Sequence, residues 1–180
     1  MKHRLVLPAV ALLSLSLAAC SSIRSSAPAQ SAQAVLHATS AAQPAGEPVT
    51  GVVDFDELRD GSVRVSGSVH NLAPGSQVGF HIHERGVCEG DGTSAGDHFN
   101  PRGKAHGEPG KGHAGDLPML QADASGSATV DYISRELKLS GPNGIVGRGL
   151  VVHRDADDYE TQPSGNSGPR VACDAIAVRN

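Results

Sequence analysis

The amino-acid sequence predicts an all-β domain, either a β-sandwich or a β-barrel. Short runs such as Ser62–Val69 and Ser127–Ile133 alternate apolar or small residues with polar ones, which is typical of half-buried strands. Turn signals such as Asp60-Gly61 and Gly141-Pro142-Asn143-Gly144 separate the runs. Aromatic residues make up only 3% of the chain and tryptophan is absent, whereas there are 22 glycines and 11 prolines. We therefore expect many turns, no amphipathic helix in the domain, and a core of Val, Leu, Ile and Ala.

Residues 1–19 have the features of an export signal of a bacterial lipoprotein. A basic start is followed by the apolar stretch Leu5–Leu17, which is shorter than the ~20 residues of a membrane span. Leu17-Ala18-Ala19-Cys20 resembles a lipoprotein cleavage box, which predicts a lipid on Cys20. Ser21 favours the outer membrane, so we expect a periplasmic protein anchored to the cell envelope. An ordinary cleaved signal peptide is the alternative.

Residues 20–47 are predicted to be a flexible tether. They are rich in Ala, Ser, Gln and Pro, and their apolar residues repeat with a period of neither two nor about 3.6 residues. Such a segment offers little that could form a core. We therefore place the folded domain at residues 48–180, which is about one domain in length.

Histidines in the middle and late chain form two groups with the spacing of metal ligands. His81 and His83 lie two residues apart in the apolar run Val78–His83, so on a strand both imidazoles point to the same face. Two such nitrogens form half of the tetragonal site that copper(II) prefers. The second group lies along a Gly- and Pro-rich loop and contains His98, His106, His113 and Asp116. Three imidazoles and a carboxylate fill a tetrahedral zinc shell. We interpret the three remaining early histidines as ordinary surface residues: His3, His37 and His70.

Five ordered motifs resemble those of the copper/zinc superoxide dismutases. In chain order they are Gly79-Phe80-His81-Ile82-His83-Glu84, Ser94-Ala95-Gly96-Asp97-His98-Phe99-Asn100-Pro101, the pair His106-Gly107 with His113-Ala114-Gly115-Asp116, then Gly147–His153 with Asp155–Asp158, and Gly165–Cys173. The similarity runs from about residue 48 to the end of the chain. The short interval between His83 and Cys88 is similar to that of bacterial, periplasmic members.

The resemblance implies an eight-stranded Greek-key barrel with two long loops that build the active site. It also implies an oxidoreductase that converts superoxide to molecular oxygen and hydrogen peroxide, with a copper ion and a zinc ion in each subunit. The implied copper ligands are His81, His83, His98 and His153, and the implied zinc ligands are His98, His106, His113 and Asp116. His98 would then bridge a redox-active copper and a zinc that holds it in place.

Two further roles follow from the resemblance. Arg170 would guide the superoxide anion, because a guanidinium is always charged and offers several donors. With the bridging His98 it makes up the expected catalytic pair. Asp157 would accept hydrogen bonds from His81 and His106 and so tie the two metal sites together. The alternative function is that of a non-enzymatic periplasmic copper- and zinc-binding protein on the same fold.

Cys88 and Cys173 are expected to form a disulfide bond. With Cys20 assigned to the lipid they remain as a pair, and a pair in an oxidising compartment favours a disulfide. Two free buried thiols are the alternative, which the resemblance disfavours. In the resembled enzymes this bond holds the metal-binding loop to the barrel beside the arginine.

The charge of the chain excludes one class of partner. The formal net charge is −4, there is no basic stripe and aromatic residues are few, so nucleic-acid binding is not predicted. An anionic substrate would then need a local positive field, to which Lys104 and Lys111 are candidates to contribute besides Arg170. The sequence leaves open whether two copies of the chain form a homodimer.

Overall fold

The chain folds almost entirely into antiparallel β-strands. The computed structural model describes residues 30–42 and 46–179. The strands are β1 (Ser31–Ala38), β2 (Thr50–Glu57), β3 (Val63–His70), β4 (Gln77–Val78), β5 (Phe80–His83), β6 (Leu120–Gln121), β7 (Ala128–Ser134), β8 (Gly149–His153), β9 (Arg170–Ala175) and β10 (Ala177–Val178). Within the described ranges the helical structure is a single 3₁₀ turn at Thr93–Ala95, and no helix is long and apolar enough to cross a membrane. The predicted export signal and Cys20 lie outside the described residues.

Most strands belong to one sheet that curls into a barrel. Its order is β5-β8-β9-β1-β2-β3-β7, with β10 also paired to β1, and β4 pairs with β6 in a second, short ladder. Gly79 alone separates β4 from β5, and a tight turn at 123–127 joins β6 to β7. The short ladder therefore brings the two ends of the large sheet together.

The prediction of an eight-stranded Greek-key barrel is confirmed. Counting β4–β5 and β9–β10 as strands interrupted by Gly79 and Ile176 gives eight strands. β3 pairs with β7, and the chain then crosses from β7 to β8 on the opposite side of the sheet order. Such crossing connections between antiparallel strands define a Greek key.

The predicted tether is wrong for residues 31–38, which form β1. Ala32, Ala34 and Leu36 are buried, and β1 pairs with β2 on one side and with β9 and β10 on the other. The alternation of a strand was present in the sequence. Two of its three inward positions are alanines, however, and their small side chains give a weak apolar signal. The folded domain therefore begins well before residue 48.

Aliphatic side chains and all three phenylalanines form the core. Phe55, Phe80 and Phe99 are buried together with branched residues such as Ile82 and Leu150. Each fully buried side chain of this kind contributes roughly 1.5–3 kcal/mol relative to an exposed one. The predicted Val, Leu, Ile and Ala core is thus correct.

A first long loop, residues 84–119, covers the free edge of β5. The backbone of Ile82 is hydrogen-bonded to Gly115 and Phe99 of this loop. Isolated bridges join His81 to Asp116 and His83 to His98. These contacts pair the backbone N–H and C=O groups at the edge of β5 and bring loop residues beside the histidines of this strand. A second long loop, residues 154–169, connects β8 to β9.

The disulfide Cys88–Cys173 fixes the first loop to β9. Its two Cα atoms are 5.7 Å apart, and the two cysteines are separated by 85 residues in the chain. A cross-link of that span contributes roughly 4–5 kcal/mol in the chain-entropy model. Both cysteines pack with Ala95 and Val151 in a small apolar cluster separate from the main core. This cluster holds the loop close to Arg170, the first residue of β9.

Candidate functional site

Neighbouring strands β5 and β8 position three histidines. His81 and His83 lie opposite Val151 and Gly149 in the β5–β8 ladder. The β8–β9 register shifts between Val152 and His153, which places His153 opposite Arg170. Such a bulge re-aims a side chain, and bulges are common beside active sites. All three imidazoles are buried.

A first group of buried imidazoles forms where His98 of the first loop meets these three. It consists of His81, His83, His98 and His153, and their nearest ring nitrogens lie within 4.8 Å of one another. The Nδ1 atoms of His83 and His153 donate to the carbonyls of Gly96 (2.8 Å) and Gly168 (3.1 Å). A carbonyl only accepts, so both Nε2 atoms carry lone pairs when the rings are neutral. These Nε2 atoms are 3.3 Å apart, a contact that a cation between them would make favourable.

A second group consists of His98, His106, His113 and Asp116, all buried and within the same 4.8 Å limit. Nε2 of His106 donates to Asp157 Oδ1 (2.9 Å), so its Nδ1 carries a lone pair. That Nδ1 lies 3.1 Å from Asp116 Oδ2 without forming a hydrogen bond, and His113 Nδ1 lies 3.3 Å from Asp116 Oδ1 in the same way. Lone pairs facing a carboxylate in a buried site also fit a bound cation.

Asp157 and His98 connect the two groups. The two carboxylate oxygens of Asp157 accept hydrogen bonds from His81 Nε2 (2.6 Å) and His106 Nε2 (2.9 Å). His98 offers one nitrogen to each group. Its Nδ1 lies 2.9 Å from Asp116 Oδ1, and its Nε2 is buried with no hydrogen-bond partner among the described residues.

Burial sets the protonation of the site. It lowers the pKa of His81 and His83 well below the usual value, that of His153 to about 4, and that of His98 as well. Burial by itself would raise the pKa of Asp116, but contacts with His113 and His98 outweigh it and hold this pKa below its usual value. Neutral imidazoles and a charged carboxylate are the forms that bind metals.

A cavity of about 370 Å³ gives access to both groups and to Arg170. The guanidinium of Arg170 donates from its two Nη atoms to the carbonyls of Gly92 and Gly96, each at 2.7 Å. Gly96 therefore holds both Arg170 and His83. Burial lowers the pKa of Arg170, while the nearby Asp97 and Asp91 oppose the shift, and a guanidinium stays charged throughout. A larger cavity of about 520 Å³ shares only His153 with this one and is lined mostly by apolar residues.

The charges around the smaller cavity differ from the sequence expectation. Glu84 and Asp97 line it beside Arg170. Lys104 and Lys111 do not line it, and each ammonium pairs with a glutamate that lies outside the cavity lining. The interpretation of these lysines as a source of positive field is not supported. Arg170 is the one cationic side chain among the described residues that line the cavity.

Sequence reasoning missed the groups that hold the site from outside. The carbonyls of Gly96 and Gly168 orient His83 and His153, and the side chain of Gln162 holds the backbone of His106. Backbone carbonyls carry no side-chain signal. Gln162 lies 56 residues from His106, and no motif connects the two.

Comparison with known proteins decides the family. Residues 49–176 match the sequence model of the family described as Copper/zinc superoxide dismutase (SODC). The chain belongs to the copper/zinc superoxide dismutases. It is 40% identical over 141 residues to the extracellular Cu-Zn superoxide dismutase of Brugia pahangi, a match that covers 72% of this chain and 70% of that protein. With the Cu-Zn superoxide dismutase of Onchocerca volvulus it shares 39% identity over 145 residues, covering 74% of this chain and 91% of that one.

A solved structure of the clock protein EA4 has the same fold. The two structures match with a TM-score of 0.73 and 37% sequence identity. The match covers 84% of this chain and 96% of the EA4 chain. The activity of this superoxide dismutase is the conversion of superoxide to dioxygen and hydrogen peroxide, and its family uses copper and zinc as cofactors.

The metal-free protein should lose stability as the pH falls from about 6.5 towards 4. In this window the unfolded chain takes up protons on histidines, whereas His81, His83 and His153 resist protonation in the fold because burial lowers their pKa values. The contribution of these histidines to stability is therefore complete above the unfolded pKa of 6.5, falls through the window, and stops falling below their folded values. For His153 alone the loss is about 3 kcal/mol. Urea unfolding of the metal-free protein at several pH values measures it.

A matched pair of variants assigns the effect to the site. His153→Gln removes one of the buried titrating groups and should shrink the loss of stability between neutral and acid pH. His70→Gln alters an exposed histidine and should leave the loss unchanged. A His153→Gln protein with the full wild-type loss would contradict the assignment.

Proposed function

We propose that the first group of ligands holds copper, the second holds zinc, and His98 is shared between the two ions. The support is the set of lone pairs that hydrogen bonds on the outer nitrogens leave facing inward. Four imidazole nitrogens suit copper(II), and three imidazoles with a carboxylate suit zinc. The proposed copper ligands are His81, His83, His98 and His153, and the proposed zinc ligands are His98, His106, His113 and Asp116.

The chain itself contributes position and a site for protons. When bound, copper supplies a redox-active centre and zinc, which does not change oxidation state, steadies His98. Two superoxide anions and two protons give one dioxygen and one hydrogen peroxide. Nε2 of His98 has no hydrogen-bond partner within residues 30–42 and 46–179, and His98 lines the cavity, so this nitrogen can hold a proton where the substrate enters. Its Nδ1 beside Asp116 keeps the ring in place meanwhile.

Single-ligand variants should separate the two metals. His153→Ala should weaken copper binding alone, His113→Ala zinc binding alone, and His98→Ala both, in each case by at least about 100-fold, because losing a ligand costs more than losing a residue that only orients one. Metal content after loading with each ion separately measures this. His70→Ala is the control. A His98→Ala protein that binds both ions like the wild type would show that His98 is not shared.

Arg170 is the proposed guide for the anion. It lines the cavity beside His83, His98 and His153, and the carbonyls of Gly92 and Gly96 hold its guanidinium in a fixed place. Enzymes of this class work near the diffusion ceiling, where a charge at the mouth of the site acts on association. Since Glu84 and Asp97 line the same cavity, the positive field there depends on Arg170 and the bound metals.

Reversal of this charge should slow the enzyme more than its removal. Arg170→Gln should lower the rate about tenfold and Arg170→Glu clearly more, with metal content nearly unchanged. Wild-type activity should fall with added salt, because screening limits the field to about 8 Å at 0.15 M ionic strength. In Arg170→Glu this salt effect should weaken or invert.

Arg154→Glu is the matched control, because Arg154 is exposed, pairs with Asp155 and does not line this cavity. Equal rates for the Gln and Glu variants at all salt concentrations would exclude steering.

The proposed location is the cell envelope, where the enzyme would remove superoxide while tethered by a lipid on Cys20, in the periplasm and at the outer membrane. Export agrees with the extracellular relatives and with the disulfide. Because β1 begins at Ser31, residues 20–30 alone link the lipid to the barrel. Fully extended, they reach at most about 40 Å, so the active domain would stay close to the membrane. Cys20→Ser should abolish attachment of the lipid and leave the protein either unprocessed, with its export signal still attached, or soluble. An unmodified Cys20, found by mass spectrometry in wild-type protein extracted from membranes, would overturn this.

A homodimer is the proposed assembly, formed through three exposed valines on adjoining segments. Val87, Val146 and Val178 are 42%, 39% and 61% exposed. Backbone hydrogen bonds from Gly86 to Gly147 and from Gly147 to Ile176 hold these segments side by side. The three valines carry no charge that would repel a second copy.

Sedimentation should give the mass of a dimer for the wild type and of a monomer for Val146→Glu. Val35→Glu, a valine of similar exposure on β1, is the control. A monomeric wild type would contradict the proposal.

A further inference from the structure

The backbone of His106 is held by the side chain of Gln162. The amide N–H of His106 donates to Gln162 Oε1 (2.8 Å), and Gln162 Nε2 donates to the carbonyl of His106 (3.0 Å). The side-chain amide therefore pairs with His106 as a peptide group of a neighbouring strand would. His106 belongs to the first loop and Gln162 to the second. Gln162 is exposed, so burial of its side chain does not explain its position.

A second residue of the same segment also rests on His106. A Cβ atom added to Gly165 would lie 1.8 Å from Asp157 Oδ1 and 2.6 Å from His106 Nε2. Only a glycine therefore lets the backbone approach the Asp157–His106 pair this closely, and Gly165 also adopts a φ of 63° that favours glycine. Gln162 and Gly165 thus both lie against His106.

The two residues between these contacts form part of the cavity wall. Pro163 and Ser164 line the cavity that contains Arg170 and His98. The imidazole of His106 is itself placed between carboxylates of the two loops, with Nδ1 beside Asp116 and Nε2 donating to Asp157. A shift of His106 would therefore move the wall, and a loose wall would leave His106 less firmly placed.

We infer that Gln162 is a positioning residue that ties the cavity wall at Pro163 and Ser164 to the ligand His106. Retention of zinc and placement of the wall then depend on the same pair of hydrogen bonds. The inference rests on the proposed role of His106 as a zinc ligand. Gln162 touches neither substrate nor metal in this scheme, and it acts through the backbone of His106.

The test uses full-length protein loaded with zinc. Gln162→Met keeps the length of the side chain and removes both hydrogen bonds. It should speed the transfer of zinc to a chromophoric chelator about tenfold and raise hydrogen exchange at the amides of His106 and Gly165. Gln162→Glu should release zinc at least as fast, because a carboxylate would face the carbonyl oxygens of His106 and Glu160. With cobalt(II) in the zinc site, the visible spectrum of Gln162→Met should differ from that of the wild type.

Gln121→Met is the matched control. Gln121 also donates to backbone carbonyls, those of Gly75, Ser76 and Ala122, but it lies outside both metal-ligand groups. It should leave zinc release and the cobalt spectrum unchanged. The inference would be overturned if Gln162→Met released zinc, exchanged its amide hydrogens and gave a cobalt spectrum just as the wild type does. The assignment of the zinc ligands would then remain intact. Equal acceleration by Gln121→Met would also overturn the inference, because it would indicate general loosening of the barrel. A wild type that binds no zinc would overturn the assignment of His106 and the inference with it.

Discussion

The hydrogen bond on the outer nitrogen of the buried imidazoles is the interaction on which the site depends. The carbonyls of Gly96 and Gly168 accept hydrogen bonds from His83 and His153, and Asp157 accepts those of His81 and His106. Each bond fixes the tautomer and leaves a lone pair turned inward, where it meets other lone pairs. Such an arrangement is unfavourable in a buried site without a cation. Metal binding therefore contributes to the stability of the fold as well as to catalysis.

A small number of backbone and carboxylate groups connect the barrel, the metal site and the substrate cavity. The carbonyl of Gly96 accepts hydrogen bonds from both His83 and Arg170, so one carbonyl links a proposed copper ligand to the proposed anion guide. The disulfide and its small apolar cluster hold the same stretch of the first loop against β8 and β9. Asp157 and Gly165 bring the second loop onto His106 from the other side. A disturbance in either loop would therefore reach both metal binding and substrate entry.

The net charge of this protein does not predict how readily it associates with an anionic substrate. The chain carries a formal charge of −4, and Glu84 and Asp97 line the cavity itself. Screening at physiological salt limits the reach of a surface charge to about 8 Å. In the proposed mechanism, the local arrangement of Arg170 and the bound metals therefore decides whether an anion is drawn in. Lysines elsewhere on the first loop, each paired with a glutamate, contribute little.

The sequence by itself indicated the fold class, several of the strands, the disulfide and the two sets of candidate ligands. It could do so because strand periodicity and ligand spacing are local: His81 and His83 share a face of one strand, and His113 and Asp116 lie within one turn of loop. Only the tertiary structure placed β1 in the sheet, since Ala32 and Ala34 give a weak apolar signal until their neighbours enclose them. It alone assigned the carbonyls that orient His83 and His153, the glutamate that pairs with Lys104, and the contact between Gln162 and His106. These depend on which distant segments the barrel brings together, and on backbone atoms that every residue shares, so no pattern of residue types could encode them.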